Sequence, residues 1–93
     1  MEYALGAGLG VAMLCPNRPV VFIEGDGGFQ MKIQELQTIK SYDINMKIVI
    51  MNNGWYRMIK QFQDLWFDSR YEESGRDTSM PDFEPIIRGY GIN

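Results

Sequence analysis

Apolar positions change their period several times along the chain, and each change predicts an element. Tyr3–Leu14 (YALGAGLGVAML) is apolar or small at every position and predicts a helix. Gly6, Gly8 and Gly10 would weaken an isolated helix, so their expected use is close approach to a neighbouring backbone. Pro16, Asn17 and Pro19 end the segment. Val20–Ile23 is an unbroken apolar run rich in β-branched residues, the pattern of a strand covered on both faces. Gly25-Asp26-Gly27-Gly28 predicts a loop. Gln30 to about Ser41 predicts one helix, with Ile33, Leu36 and Ile39 toward the core. Lys47–Met51 (KIVIM) repeats the buried-strand pattern, and Asn52-Asn53-Gly54 predicts a turn. Trp55, Met58, Ile59, Phe62, Leu65 and Trp66 follow a helical period, with Arg57, Lys60, Gln61 and Asp64 on the polar side. Asp68–Met80 is polar and aperiodic, a long loop. Asp82 is placed to cap a last helix over Phe83–Tyr90, and Gly91 to stop it.

Strands alternating with helices predict an α/β protein: a parallel sheet with flanking helices, in one domain over residues 1–93. Two strands leave both sheet edges uncovered. The expectation is therefore a piece of a larger sheet, with further strands before Met1 and after Asn93. The chain carries 45% apolar residues and a net charge of −3, so it is globular and mildly acidic. It has no Lys/Arg cluster, which argues against nucleic acid or an anionic membrane as partner. No segment is long and apolar enough to span a bilayer. The N-terminal apolar stretch has Glu2 in place of a basic leader, so it reads as a structural helix and not a signal peptide. Cys15 is the single cysteine and has no internal partner, which fits a reducing, cytoplasmic setting. There is no histidine, so Ser-His-Asp, Cys-His and His-zinc chemistry is excluded within the chain. GAGLG lacks the dinucleotide-binding spacing and precedes the first strand.

In a strand–helix–strand crossover, Asp26 follows the first strand and Asn53 the second. Both then reach the C-terminal edge of the sheet, where open α/β folds bind ligands. Asp26 offers a charged oxygen and Asn53 a neutral one, and Gly54 lets the chain turn so that a carbonyl such as that of Trp55 points inward. Mg²⁺ takes about six oxygens at ~2.0–2.1 Å and commonly shares itself with phosphate. Gly27 and Gly28 present backbone N–H groups to an anion at the start of a helix. GDG alone or NNG alone is an ordinary turn; the pair, each after a buried strand, is the informative unit.

GDGGFQMKIQEL followed by KIVIMNNGWYRMIKQFQDLWFDSRY resembles thiamine diphosphate-dependent enzymes. It is most similar to the pyrophosphate-binding, C-terminal domain of the acetolactate synthase-like branch. The resemblance runs from MEYALGAGLG to PDFEPIIRGYGIN and implies part of a thiamine diphosphate-binding fold. It implies Mg²⁺ held by Asp26, Asn53 and the Trp55 carbonyl, and diphosphate contacts from Gly27 and Gly28, where many relatives have Ser at the latter position. Met1 falls where the branch often has a Met that supports the bent cofactor. Met58 and Phe62 fall on the helix that lines the substrate pocket; packing in the core is the other reading of both. The Trp55 and Trp66 side chains read as core. Gln61-Phe62-Gln63 departs from the branch's QWQ, which bears on the reaction the protein runs.

The implied activity is decarboxylation and carboligation of small 2-oxo acids in a homo-oligomer. The Glu that activates the cofactor comes from another domain, and Glu24 and Glu35 are read as strand-end and helix residues. No catalytic residue is expected within the chain, and the 93 residues alone are expected to be inactive. FAD is neither called for nor excluded. The alternatives are another thiamine diphosphate-dependent decarboxylase or oxidase, a different Mg²⁺-phosphate binding module, and a non-catalytic assembly fragment.

Overall fold

The structure is a computed structural model and describes residues 2–75 and 79–92. The elements run α1 (Tyr3–Leu14), β1 (Val20–Gly25), α2 (Asp26–Met31), α3 (Glu35–Ser41), β2 (Met46–Met51), α4 (Arg57–Trp66) and α5 (Phe83–Gly89). β1 and β2 pair in parallel, from Val20 opposite Met46 to Gly25 opposite Met51. The pairing makes α2 and α3 the crossover, as the alternation of elements predicts.

Side chains alternate across a strand, so Val20, Phe22 and Glu24 share one face with Met46, Ile48 and Ile50. On that face the core assembles: Leu5 and Leu9 of α1, Phe22, Phe29 of α2, Leu36 and Ile39 of α3, and Phe83 of α5. Gly8 sits over the sheet, where an added Cβ would come within 3.2 Å of Met46 Cε and 3.5 Å of Phe22 Cβ. Among the described residues close approach is the role of Gly8, since nothing lies within 4 Å of a Cβ built at Gly6 or Gly10.

Three expectations are corrected. Asp26, Gly27 and Gly28 are not loop but the first turn of α2, which starts directly after β1 with Gly25 as its extended N-cap. The helix expected over Gln30–Ser41 is two helices. Between them Ile33 N–H bonds to Gln30 O at 3.4 Å and Glu35 N–H to Lys32 O at 2.9 Å, each three residues back. This tighter winding changes the helix course while Phe29 and Leu36 stay fully buried. No glycine or proline marks the break. The strands, finally, are covered on one face. Val21 and Ile23 of β1 and Val49 and Met51 of β2 are exposed on the other.

α4 is amphipathic as its period predicts, yet none of its residues is buried. Met58, Phe62, Leu65 and Trp66 are all exposed. Trp66, read as core from the sequence, is 73% exposed. Periodicity identifies an apolar face but not what covers it. The radius of gyration, 15.1 Å, exceeds the about 12 Å of a compact domain this long, in keeping with faces left open. α5 begins as expected: Asp82 Oδ1 accepts from Glu84 N–H at 3.2 Å, and Gly91 follows with φ of 73°.

Phe29 and Phe83 meet edge to face, 5.3 Å between centroids, and join α5 to the crossover. Phe29→Ala should destabilise the natural protein by ~3–5 kcal/mol. Urea unfolding of the single and double variants should show coupling with Phe83→Ala of ~0.5–1.5 kcal/mol; strict additivity would detach α5 from this core.

Candidate functional site

The site forms where β1 and β2 end. Asp26, the first residue of α2, is 1% exposed. Its Oδ1 accepts from Gly27 N–H at 2.8 Å. Its Oδ2 accepts from Asn53 N–H at 3.0 Å and from Gly54 N–H at 2.6 Å. A buried carboxylate needs such partners, and the turn after β2 supplies two of the three. The structure thus brings Asp26 and Asn53 together across 27 residues of sequence.

The turn is shaped from within as well. Asn53 Oδ1 accepts from Trp55 N–H at 2.9 Å, an Asx turn. Gly54 has φ of 71°, where a side chain would be strained. On its far side, Ser74 O accepts from Tyr56 N–H at 2.9 Å. A Cβ at Gly75 would lie 2.6 Å from the Trp55 ring and 2.9 Å from Gly54 O. A Cβ at Gly27 would overlap the Tyr56 ring, so glycine there lets the turn close over α2.

A cleft at this edge is lined by Glu24, Asp26, Gly27, Gly28, Asn53 and Met58, among others. Trp55 also lines it, while its indole meets Tyr71 edge to face at 5.8 Å. Trp55 is half-buried, not deep core. Met58 reaches the cleft, whereas Phe62, one turn further along α4, is 59% exposed and does not. Met1 lies outside the described residues. Glu35 stays a helix residue, its Oε2 accepting from Thr38 Oγ1 at 3.1 Å.

Glu24 is the cleft residue that sequence reasoning missed. It ends β1 as expected, but its side chain lies over α2: a Cβ at Gly28 would fall 2.6 Å from Glu24 Oε1. Glu24 Oε2 is buried with no hydrogen-bond partner among the described residues. Burial raises its pKa, the Glu2 carboxylate adds to the effect, and backbone amides of Leu5 and Glu2 oppose it. The signal was parity, since position 24 shares the core face with Phe22.

The oxygens placed at this edge, the Asp26 carboxylate and Asn53 Oδ1, are of the kind that suits a hard cation. Among the described residues no three His, Cys, Asp or Glu groups cluster as metal ligands. A cation here would rest on one carboxylate, neutral oxygens and oxygens brought by its ligand, a donor set that fits Mg²⁺ bound with phosphate.

The family model described as "Thiamine pyrophosphate enzyme, C-terminal TPP binding domain" matches residues 1–93. An acetolactate synthase of Arthrospira platensis is 41% identical over 92 residues, 99% of this chain and 16% of that protein. The acetolactate synthase isozyme 3 large subunit of Escherichia coli K12 is 41% identical over 91 residues, 98% of this chain and 16% of that subunit. The chain therefore spans about one sixth of the length of these relatives. Among solved structures, the thiamine diphosphate-dependent 4-hydroxybenzoylformate decarboxylase of Rhodococcus jostii RHA1 superposes with a TM-score of 0.81 at 28% identity, over 98% of this chain and 17% of that one. The match along every residue, together with the ends of two parallel strands meeting at Asp26 and Asn53, shows that the chain belongs to the thiamine pyrophosphate enzyme family, as a C-terminal TPP-binding domain.

Proposed function

We propose that the chain holds the diphosphate and Mg²⁺ of thiamine diphosphate in an acetolactate synthase-like enzyme that decarboxylates and joins small 2-oxo acids. The observation that carries this reading is the bond from Asn53 N–H to Asp26 Oδ2, which sets both residues at one sheet edge. Asp26, the Asn53 side chain and the Trp55 carbonyl hold the cation. Gly28, in the first turn of α2 where helix amides lack intrahelical partners, and Gly27, whose amide bonds Asp26 Oδ1, meet the diphosphate. Met1 supports the bent cofactor. When bound, thiamine diphosphate supplies the electron sink for chemistry beside a carbonyl carbon. The protein's share is to bind, orient and enclose.

Met58 borders the cleft and faces the 2-oxo acid; Phe62, four residues on along α4 and outside the cleft, meets the substrate from the open face of that helix. The glutamate that activates the cofactor comes from another domain of a cytoplasmic homo-oligomer. Relatives at 41% identity support the acetolactate synthase branch. A decarboxylase of the same family is the second reading, favoured by the 0.81 superposition and by Phe62 in place of Trp. Among the described residues no helix is long and apolar enough to cross a membrane.

Asp26→Ala and Asn53→Ala in the full-length protein should each weaken Mg²⁺-dependent thiamine diphosphate binding at least about 10–100-fold, the range already lost when only an outer-shell partner of a metal is removed. Both act on one ion, so calorimetry on the double variant should show less than the summed loss; full additivity would break the shared-metal reading. Phe62→Ala should change the ratio of kcat/KM between two 2-oxo acids while cofactor affinity holds within about twofold, since one pocket contact is worth ~1–3 kcal/mol of discrimination. Equal losses on both substrates with lowered thermal stability would make Phe62 a packing residue.

A further inference from the structure

Segment 67–75 returns along α4 and lies against the turn that carries Asn53 and Trp55. Its hold on α4 is a compact polar knot. Asp64 Oδ2 accepts from Lys60 Nζ at 2.9 Å, and Asp64 Oδ1 accepts from the Tyr71 hydroxyl at 2.5 Å and the Ser69 hydroxyl at 3.0 Å. Tyr71 Oη in turn accepts from Lys60 Nζ at 3.1 Å. The ammonium lies 4.4 Å from the Tyr71 ring centroid and 5.3 Å from that of Trp55, within cation–π range of both. Gln63 Nε2 donates to Glu72 O at 2.8 Å and adds a second tie.

An exposed ion pair between Lys60 and Asp64 alone would do little. Here the pair is closed into a triangle by Tyr71, and the Tyr71 ring bears on Trp55. Three residues on, Ser74 is 1% exposed and its carbonyl takes the Tyr56 N–H. The turn is therefore gripped from two sides, by Asp26 through the amides of Asn53 and Gly54, and by the 71–75 segment through Trp55 and Tyr56.

We propose that Tyr71, fixed by Asp64 and Lys60, is a positioning residue for the metal site, holding the Asn53–Trp55 turn in the conformation that presents Asn53 Oδ1 and the Trp55 carbonyl to the cation. This rests on the Mg²⁺–thiamine diphosphate reading of the site. The knot does not touch the cation; it removes freedom from the turn that does, and a ligand set already ordered loses less entropy on binding. Bonds from Tyr71 and then Lys60 hold the Asp64 carboxyl at about 2, down from 3.8. The knot's contribution is thus fully present above pH 3.8 and lost as the pH falls toward 2, so it stays charged at any working pH.

The test is Tyr71→Phe, which keeps the ring and deletes the hydroxyl, with Asp64→Asn as second variant, both in the full-length protein. Calorimetric titration of Mg²⁺ at saturating thiamine diphosphate should show about a 10-fold weaker apparent Kd for each, within the range of outer-shell effects on metal affinity. The double variant should lose no more than the worse single one. Apo thermal stability should stay within about 2 °C of the parent, and kcat should recover once Mg²⁺ is saturating. Unchanged Mg²⁺ affinity in both variants, or a fall in apo stability with kcat lost at every Mg²⁺ concentration, would overturn the positioning role. A parent protein that binds no thiamine diphosphate with Mg²⁺ would overturn the function reading itself, and this inference with it.

Discussion

The Asp26 carboxylate, buried at the head of α2, is the interaction on which the site depends. A buried charge without partners costs far more than any single surface contact contributes. Asp26 meets this with the amides of Gly27, Asn53 and Gly54. Two of these donors exist only if β2 runs parallel to β1 and ends level with it, as the register from Val20–Met46 to Gly25–Met51 provides. Sheet topology, crossover and turn are thus coupled to one side chain. Removing it would take the partner from three amides, of which that of Gly27 is buried, where an unsatisfied group costs ~1–3 kcal/mol.

This link was readable from sequence for a physical reason. Two apolar runs long enough to be strands, each followed by turn residues, force their ends to one edge when a helical crossover joins them. The family resemblance then named the ligand. What could not be read depended on side-chain contacts distant in sequence or lacking a local signal. The break at Lys32–Gln34 has no glycine or proline. Glu24 reads as a strand-end acid until its parity with Phe22 turns it inward. Tyr71, in an aperiodic segment, gains its role only because α4 brings Lys60 and Asp64 beneath it.

The uncovered surfaces follow one logic. Apolar runs in both strands anticipate cover on two sides, yet Val21, Ile23, Val49 and Met51 are open on one of them, as are Phe62, Leu65 and Trp66 of α4. Under the proposed function these exposed apolar faces are where other protein packs, and relatives are about six times longer than this chain. Met58 links the two regions: it lines the cleft and belongs to the open face of α4. Under the proposed function, the metal and diphosphate side of the site is built within this chain, while its substrate side is completed by whatever covers α4.

Charge gives that arrangement a direction. Glu2, Glu24 and Asp26 line the cleft at the strand ends against one cation, Arg57, and the proposed ligand is itself a polyanion. Two like unit charges about 4 Å apart at an effective dielectric near 20 repel by ~4 kcal/mol. The first-turn amides of α2 offset only part of such a repulsion, being worth ~0.3–2 kcal/mol toward an anion. A divalent cation held by Asp26, as proposed, would reverse the balance, because it would attract the diphosphate and the cleft carboxylates at once. Under the proposed function, metal and diphosphate binding at this edge would therefore be coupled in free energy, each strengthening the other by the same factor. The turn held between Asp26 and the 71–75 segment is where that coupling would act.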